Sequence, residues 1–186
     1  MTAPAAPLAL RRYGASDAAT LLDTLTDVWA EAHAGHDDVA QAGFTPETLR
    51  RQITGHARRD EFTLIVAYAA GQAVGIGYGF RCTPDYWFGD LRPAITAQAR
   101  DTDSLAGICE LAVRTGWHGQ GVGTSIHAAL VAALRTQWVS LLAMPGDSPA
   151  RRLYDRLGYE YAGPYRVGDG PVLDLLLLRA GSATVA

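Results

Sequence analysis

Two cysteines are all that this chain of 186 residues contains, Cys82 and Cys109, far apart and in no C-x-x-C pair. That gives no disulfide framework and suits a reduced, cytoplasmic setting. No apolar stretch approaches the roughly 18 residues of a membrane span. The opening Met1-Thr2-Ala3-Pro4-Ala5-Ala6-Pro7 puts no positive charge ahead of an apolar run, so neither a membrane partner nor a secretory leader is expected. A basic excess is missing too: the formal net charge is −3, which leaves no general field for nucleic acid or an anionic surface. Arg50, Arg51, Arg58 and Arg59 form either a local basic patch or a solvated helix face. His33 and His36, beside Asp37 and Asp38, are a weak metal motif without cysteines, and no metal is expected.

What is present is enough for one domain burying about 70% of its extended-chain surface. A strand near Leu8 to Arg12 precedes a helix that Ser16 is placed to cap, with Leu21, Leu22, Leu25, Val28 and Trp29 on one face. Thr45-Pro46-Glu47 opens a second helix. Phe62 to Ala69 and Ala73 to Phe80, split by Ala70-Gly71-Gln72, read as an antiparallel hairpin. After a long connection, Arg81 to Ala106, come strand Ile108 to Val113, a glycine loop, a helix through Leu134 and strand Trp138 to Ala143. A helix capped by Ser148 and ended by Gly158 follows, then strands Tyr159 to Ala162 and Val172 to Arg179. The order β-α-α-β-β-β-α-β-α-β-β predicts a mixed α/β sheet flanked by helices. The long connection carries Tyr86-Trp87-Phe88, Leu91, Pro93 and Ile95, which read as a lid, a subunit contact or a small cluster of their own.

The segment from Ile108 to Leu130 carries the chemistry. An apolar strand, glycines at 119, 121 and 123, and a helix offer bare N–H groups at a positive helix end, a seat for phosphates. It has no lysine, so it is not a nucleoside-triphosphate loop; its G-x-G-x-G spacing is not the dinucleotide G-x-G-x-x-G either. His118-Gly119-Gln120-Gly121-Val122-Gly123 resembles the Q/R-x-x-G-x-G/A acyl-CoA motif of the GCN5-related N-acetyltransferases, with His118 in place of Gln or Arg. Asp147 to Tyr159 resembles that family's second block, N-x-x-A-x-x-x-Y and L-G-F/Y, with Asp147 in place of Asn. The specific resemblance covers Ile108 to Tyr159.

The resemblance implies a mixed, mostly antiparallel central sheet flanked by helices, the acyl-CoA N-acyltransferase fold, as a single domain over residues 8–180 with loose ends at 1–7 and 181–186. It implies acetyl transfer from acetyl-CoA directly to an amine in a ternary complex. The cofactor would lie along Leu111, Ala112 and Val113, a main-chain N–H there polarising the thioester, and along His118, Gly119, Gln120, Gly121, Val122, Gly123 and Thr124, with Asp147, Ala150 and Tyr154 near the pantetheine arm. Arg151 and Arg152 are either neighbours of the phosphates or a solvated edge. Glu110, a carboxylate inside an apolar strand, is the candidate base, or else it positions substrate in a wet cleft. Tyr154 is the candidate acid, or else it packs beside a core stripe of Pro149, Leu153 and Leu157. His118 and His127 read as surface or packing residues. The acceptor is a small-molecule or peptide amine; pairs of subunits are common in this family. The alternative from another class is a non-catalytic acyl-CoA-binding or interaction module on the same fold.

Overall fold

A computed structural model describes residues 7–35, 43–89, 95–166 and 169–181. The terminal stretches 1–6 and 182–186, together with His36, Asp37, Asp38, Leu91 and Pro93, lie outside them. In chain order the elements are β1 (Leu8–Tyr13), α1 (Ala15–Ala32), α2 (Pro46–His56), β2 (Thr63–Ala69), β3 (Gln72–Cys82), α3 (Pro84–Phe88), α4 (Ala97–Arg100), β4 (Leu105–Val113), α5 (Val122–Leu134), β5 (Trp138–Ala143), α6 (Pro149–Leu157), β6 (Glu160–Arg166) and β7 (Val172–Arg179). The strands make one seven-stranded sheet in the order β1-β2-β3-β4-β5-β7-β6. Only β4 and β5 run parallel; every other neighbouring pair is antiparallel.

Local chemistry accounts for most boundaries. Thr45 and Ser148 accept from the backbone N–H of Thr48 and Arg151, and Pro46 and Pro149 take the first helical positions where no N–H is required. The β2–β3 turn is tight because Ala70 and Gly71 both adopt positive φ, as a two-residue hairpin turn demands. Ser16 does not cap α1. Gly14 does, and Asp17 accepts its N–H at 3.1 Å; the longer acidic side chain reaches back a full turn, so the helix starts two residues earlier than the serine suggested. β6 runs on past Ala162 to Arg166 through Pro164, which an edge strand tolerates because its outer N–H has no ladder to join.

The sheet separates two apolar layers. On one face α5 packs Val122, Ile126, Leu130 and Leu134 against β2 to β5. On the other, α1 and α2 bring Leu25, Val28, Trp29, Leu49 and Ile53 onto Leu64, Val66, Ile76, Tyr78 and Phe80. A third cluster is built from Phe88, Ile95, Ala99, Leu105, Leu175 and Leu177.

That third cluster settles the long connection. β3 extends to Cys82 and β4 begins at Leu105, so the connection is shorter than the sequence suggested and folds into α3 and α4. Phe88 is fully buried, and Trp87 turns inward so that its indole lies flat on β4 at Gly107. Among its aromatics only Tyr86 is exposed. The described residues of the segment pack as a cluster around Phe88, with Tyr86 left exposed. A Cβ at Gly107 would sit 2.1 to 2.5 Å from the Trp87 ring carbons, and a rigid ring cannot yield by rotating a methyl. Gly107→Ala is expected to cost about 1–3 kcal/mol, read as a lower urea midpoint, and a smaller side chain at 87 should recover part of the loss. An unchanged midpoint would contradict this packing.

Candidate active site

β4 loses a neighbour halfway along. It pairs with β5 only from Leu105 to Ile108, while on its other side β3 stays paired as far as Val113. A register shift accompanies the change: Glu110 faces Tyr78 and Ile108 faces Gly79, which leaves Cys109 as the extra residue of a bulge. Arg114 donates its N–H to Val74 O on β3. By the two-residue alternation of a strand, Ala112 then also points its N–H toward β3, whereas Leu111 and Val113 point theirs into the gap beside β5. The gap is a slot through the sheet, edged by main-chain donors.

Glu110 stands at this slot on the face of α1. Its Oε1 accepts the N–H of Leu111 at 3.1 Å and its Oε2 accepts the indole N–H of Trp29 at 3.0 Å. Burial pushes its carboxyl up to about 7, against the opposing pull of those two donors. Trp29 is itself buried, with His33 stacked on it at 4.1 Å and donating from Nδ1 to Trp29 O. Directly across from Glu110, the fully buried Tyr78 is hydrogen-bonded through its hydroxyl to His56 Nδ1 at 3.1 Å. Burial, with help from Cys109 and Glu110, holds the Tyr78 phenol well above its usual value. His56 is lowered by burial and by Arg59.

On the opposite face the glycine loop leads into α5. Gly119 and Gly121 adopt φ of +73° and +77°, the left-handed region, and Gly121 is the N-cap of a 13-residue helix. The first N–H groups of that helix, on Val122, Gly123 and Thr124, have no partner within it, and the helix dipole adds positive potential there. Gly123 serves packing instead: a Cβ there would meet Leu153 of α6 at 3.2 Å. His118 and Gln120 brace the loop, His118 Nε2 donating to Val113 O at 2.7 Å and Gln120 Nε2 to Gly116 O at 3.0 Å.

α6 approaches the slot from this side. Its buried residue is Tyr154; Pro149 is exposed, and Leu153 and Leu157 are half-buried. The expected stripe of Pro149, Leu153 and Leu157 is therefore rotated. The helix docks through the tyrosine, whose ring meets Tyr159 edge-on at 5.6 Å, while Tyr159 is held through its hydroxyl by the buried His127 at 2.9 Å. Burial, and next the charge of Glu110, raise the Tyr154 phenol, so it stays protonated at neutral pH. His127 falls to about 4 through burial and is neutral.

The structure thus brings together Glu110, Leu111, Val113 and the start of α5, with Tyr154 near enough to feel the carboxylate. It draws other expected contacts elsewhere. Asp147 is exposed and ion-paired with Arg152, and Ala150 is exposed. Arg151 is engaged by Asp155 and Asp174. Arg50, Arg51 and Arg58 line a separate shallow groove of about 390 Å³ on α2 with Glu47 and Thr54. Among the described residues no His, Cys, Asp or Glu cluster has the makings of a metal site, and no helix is long and apolar enough to cross a membrane. Trp29 and Tyr78 were missed as site residues. The only signal for Trp29 was an indole N–H on an otherwise aliphatic helix face, which needs a partner when buried.

Comparison with known proteins identifies the family and the fold. Residues 60–161, more than half of the chain, match the acetyltransferase (GNAT) domain family. The chain belongs to that family. Its fold is similar to that of the PaiA N-acetyltransferase of Thermoplasma acidophilum, solved in complex with coenzyme A (TM-score 0.58, 11% identity, 93% of this chain and 99% of that one). It is similar to the ribosomal-protein-S18-alanine N-acetyltransferase of Escherichia coli (0.61, 14%, 93% and 94%). It also resembles a histone acetyltransferase HPA2 and related acetyltransferase of Corynebacterium glutamicum (0.60, 20%, 91% and 94%). At these identities the likeness speaks for the fold: a mixed sheet flanked by helices. A search of curated proteins found no match.

The loop geometry generates a test. Gly121→Ala forces a Cβ into the left-handed region at a cost of about 1 kcal/mol and disturbs the N–H groups at the start of α5. Acetyl-CoA affinity should fall several-fold while the fold is kept, measured by calorimetry and circular dichroism. Unchanged affinity would remove the loop from the binding site.

Proposed function

We propose that residues 8–180 form an acyl-CoA-dependent N-acyltransferase domain that moves an acetyl group from acetyl-CoA directly to the amine of a small molecule or peptide in a ternary complex. The observation that carries this reading is the slot where β4 parts from β5: it joins main-chain donors, a carboxylate on one face and a phenol on the other. Membership of the family and the coenzyme A bound to a protein of similar fold support it.

The fit to the donor rests on the open end of α5 and on the slot. Gly119, Gln120, Gly121, Val122, Gly123 and Thr124 would hold the pyrophosphate through N–H groups, with His118 bracing the loop. Leu111 and Val113 would line the pantetheine arm, with Tyr154 on the α6 side; Ala112 turns its N–H to β3 and its buried side chain to the α1 face, and Ala150 is exposed, so neither is given a contact. Asp147, ion-paired with Arg152, would act through that pair. Bound acetyl-CoA supplies an activated acyl group and a thiolate leaving group.

The chain's own groups then divide the work. The N–H of Leu111, directed into the slot, is placed to stabilise negative charge on the carbonyl oxygen. Glu110 accepts the proton that the amine loses on attack. Ordinary carboxylates are far weaker bases than an amine of pKa about 10.4, and a value near 7 narrows that gap. Tyr154, neutral across this range, donates a hydrogen bond to the departing sulfur. Its raised phenol opposes complete transfer to a thiolate of about 8.5, so stabilisation rather than full protonation is the larger part.

Two outcomes follow. Because the base acts deprotonated, kcat/KM should rise about tenfold per pH unit below 7 and level off above it, and Glu110→Gln should lose that limb. Tyr154→Phe should lower kcat by about a hundredfold with little change in acetyl-CoA affinity. Equal turnover in wild type and Tyr154→Phe would remove Tyr154 from the chemistry, and a flat profile in the wild type would remove Glu110.

A further inference from the structure

Both carboxylate oxygens of Glu110 are committed to N–H donors, and the two donors differ in kind. Leu111 N–H belongs to the slot, where the gap beside β5 leaves it no strand partner. Trp29 N–H comes from α1, 81 residues away in sequence, and reaches the other carboxylate oxygen. Trp29 has little freedom to leave: it is 5% exposed, lies among Leu25, Val28 and Tyr78, and carries the His33 ring stacked at 4.1 Å.

An N–H serves one acceptor well. A carbonyl oxygen polarised by Leu111 N–H and the Oε1 of Glu110 therefore compete for the same proton. We propose that Trp29 is a positioning residue for the base, keeping Glu110 by Oε2 at the slot while the thioester carbonyl of the acyl donor takes the Leu111 N–H from Oε1. The inference rests on the proposed acyl-CoA reading. Its consequence is a coupling: donor binding removes one of two donors that stabilise the anion, and so strengthens the base at the moment the donor is in place.

The sign is fixed by linkage. The Leu111 N–H lowers the Glu110 carboxyl; losing it raises that carboxyl further above about 7, so donor binding takes up protons and donor affinity falls as pH rises. The groups facing Glu110 leave this window clear. On its own strand Cys109 is pushed far up by burial, as are Tyr78 from β3 and Tyr154 from α6. His56 of α2, behind Tyr78, is lowered. His33 of α1 stacks on Trp29, and a variant at 110 separates the contribution of Glu110 from that of its neighbours.

The experiment is calorimetric titration of the full chain with acetyl-CoA at pH 7.5 in two buffers of different ionisation enthalpy, with Glu110→Gln and Trp29→Phe alongside. A one-unit rise corresponds to uptake of about half a proton and about tenfold in affinity between the pH limits. The wild type should show this uptake and Glu110→Gln should lose it. Trp29→Phe, checked as folded by circular dichroism, should move the acid limb of kcat/KM upward by about one unit, which loss of packing alone would not do. Equal uptake in wild type and Glu110→Gln would overturn the exchange at Leu111. An unmoved limb in folded Trp29→Phe would overturn the role of Trp29. Absence of any acetyl-CoA binding would overturn the acyl-CoA reading, and this inference with it.

Discussion

Everything at the site depends on β4 losing its ladder to β5 after Ile108. Backbone N–H groups inside a sheet are normally spent on a neighbouring strand, and an unspent one in a protein interior is costly. Here the bulge at Cys109 turns the strand, the parallel pairing ends, and the N–H groups of Leu111 and Val113 face a gap. Part of that cost is met from within, since Glu110 accepts the N–H of Leu111, and His118 donates to the carbonyl of Val113.

The same gap brings one carboxylate and one phenol from opposite faces within electrostatic reach of each other. Glu110 belongs with α1 and Tyr78; Tyr154 belongs with α5, Tyr159 and His127. A continuous sheet would keep them apart. Burial sets their chemistry in the same direction by different means: it makes the acid at 110 weaker and so its carboxylate a better base, and it keeps the phenol at 154 protonated. Two donors on Glu110 moderate the first effect, which holds its carboxyl near neutrality rather than higher.

Much of this was legible in the sequence, because it is encoded in short range. The glycine loop, the capped helices at Thr45 and Ser148, and the β2–β3 turn each rest on residues within a few positions of one another, and all formed where expected. So did Glu110 in its apolar strand. What was not legible depends on long-range contact. Trp29 read as one more apolar residue on a helix face, and nothing near it in sequence announces a carboxylate 81 positions on. The sequence left Trp87 open between a lid, a subunit contact and a packed cluster because its partner is an absence, the missing side chain of Gly107. Ser16 failed as a cap because Asp17 beside it competes for the same role with a longer reach. The rotation of α6 onto Tyr154 follows from the ring of Tyr159 and the hydrogen bond between Tyr159 and His127, neither of which helical periodicity can register.

The central claim is that this slot transfers an acyl group from a coenzyme A thioester to an amine. The most direct test follows free thiol release from acetyl-CoA by the purified protein across a panel of primary amines, amino acids and peptide N-termini. The account predicts release that requires both an amine and Glu110, with the acylated amine recovered in equal amount by mass spectrometry. Tight acetyl-CoA binding with no amine-dependent release on the whole panel would contradict it and favour a module that binds acyl-CoA without transferring it.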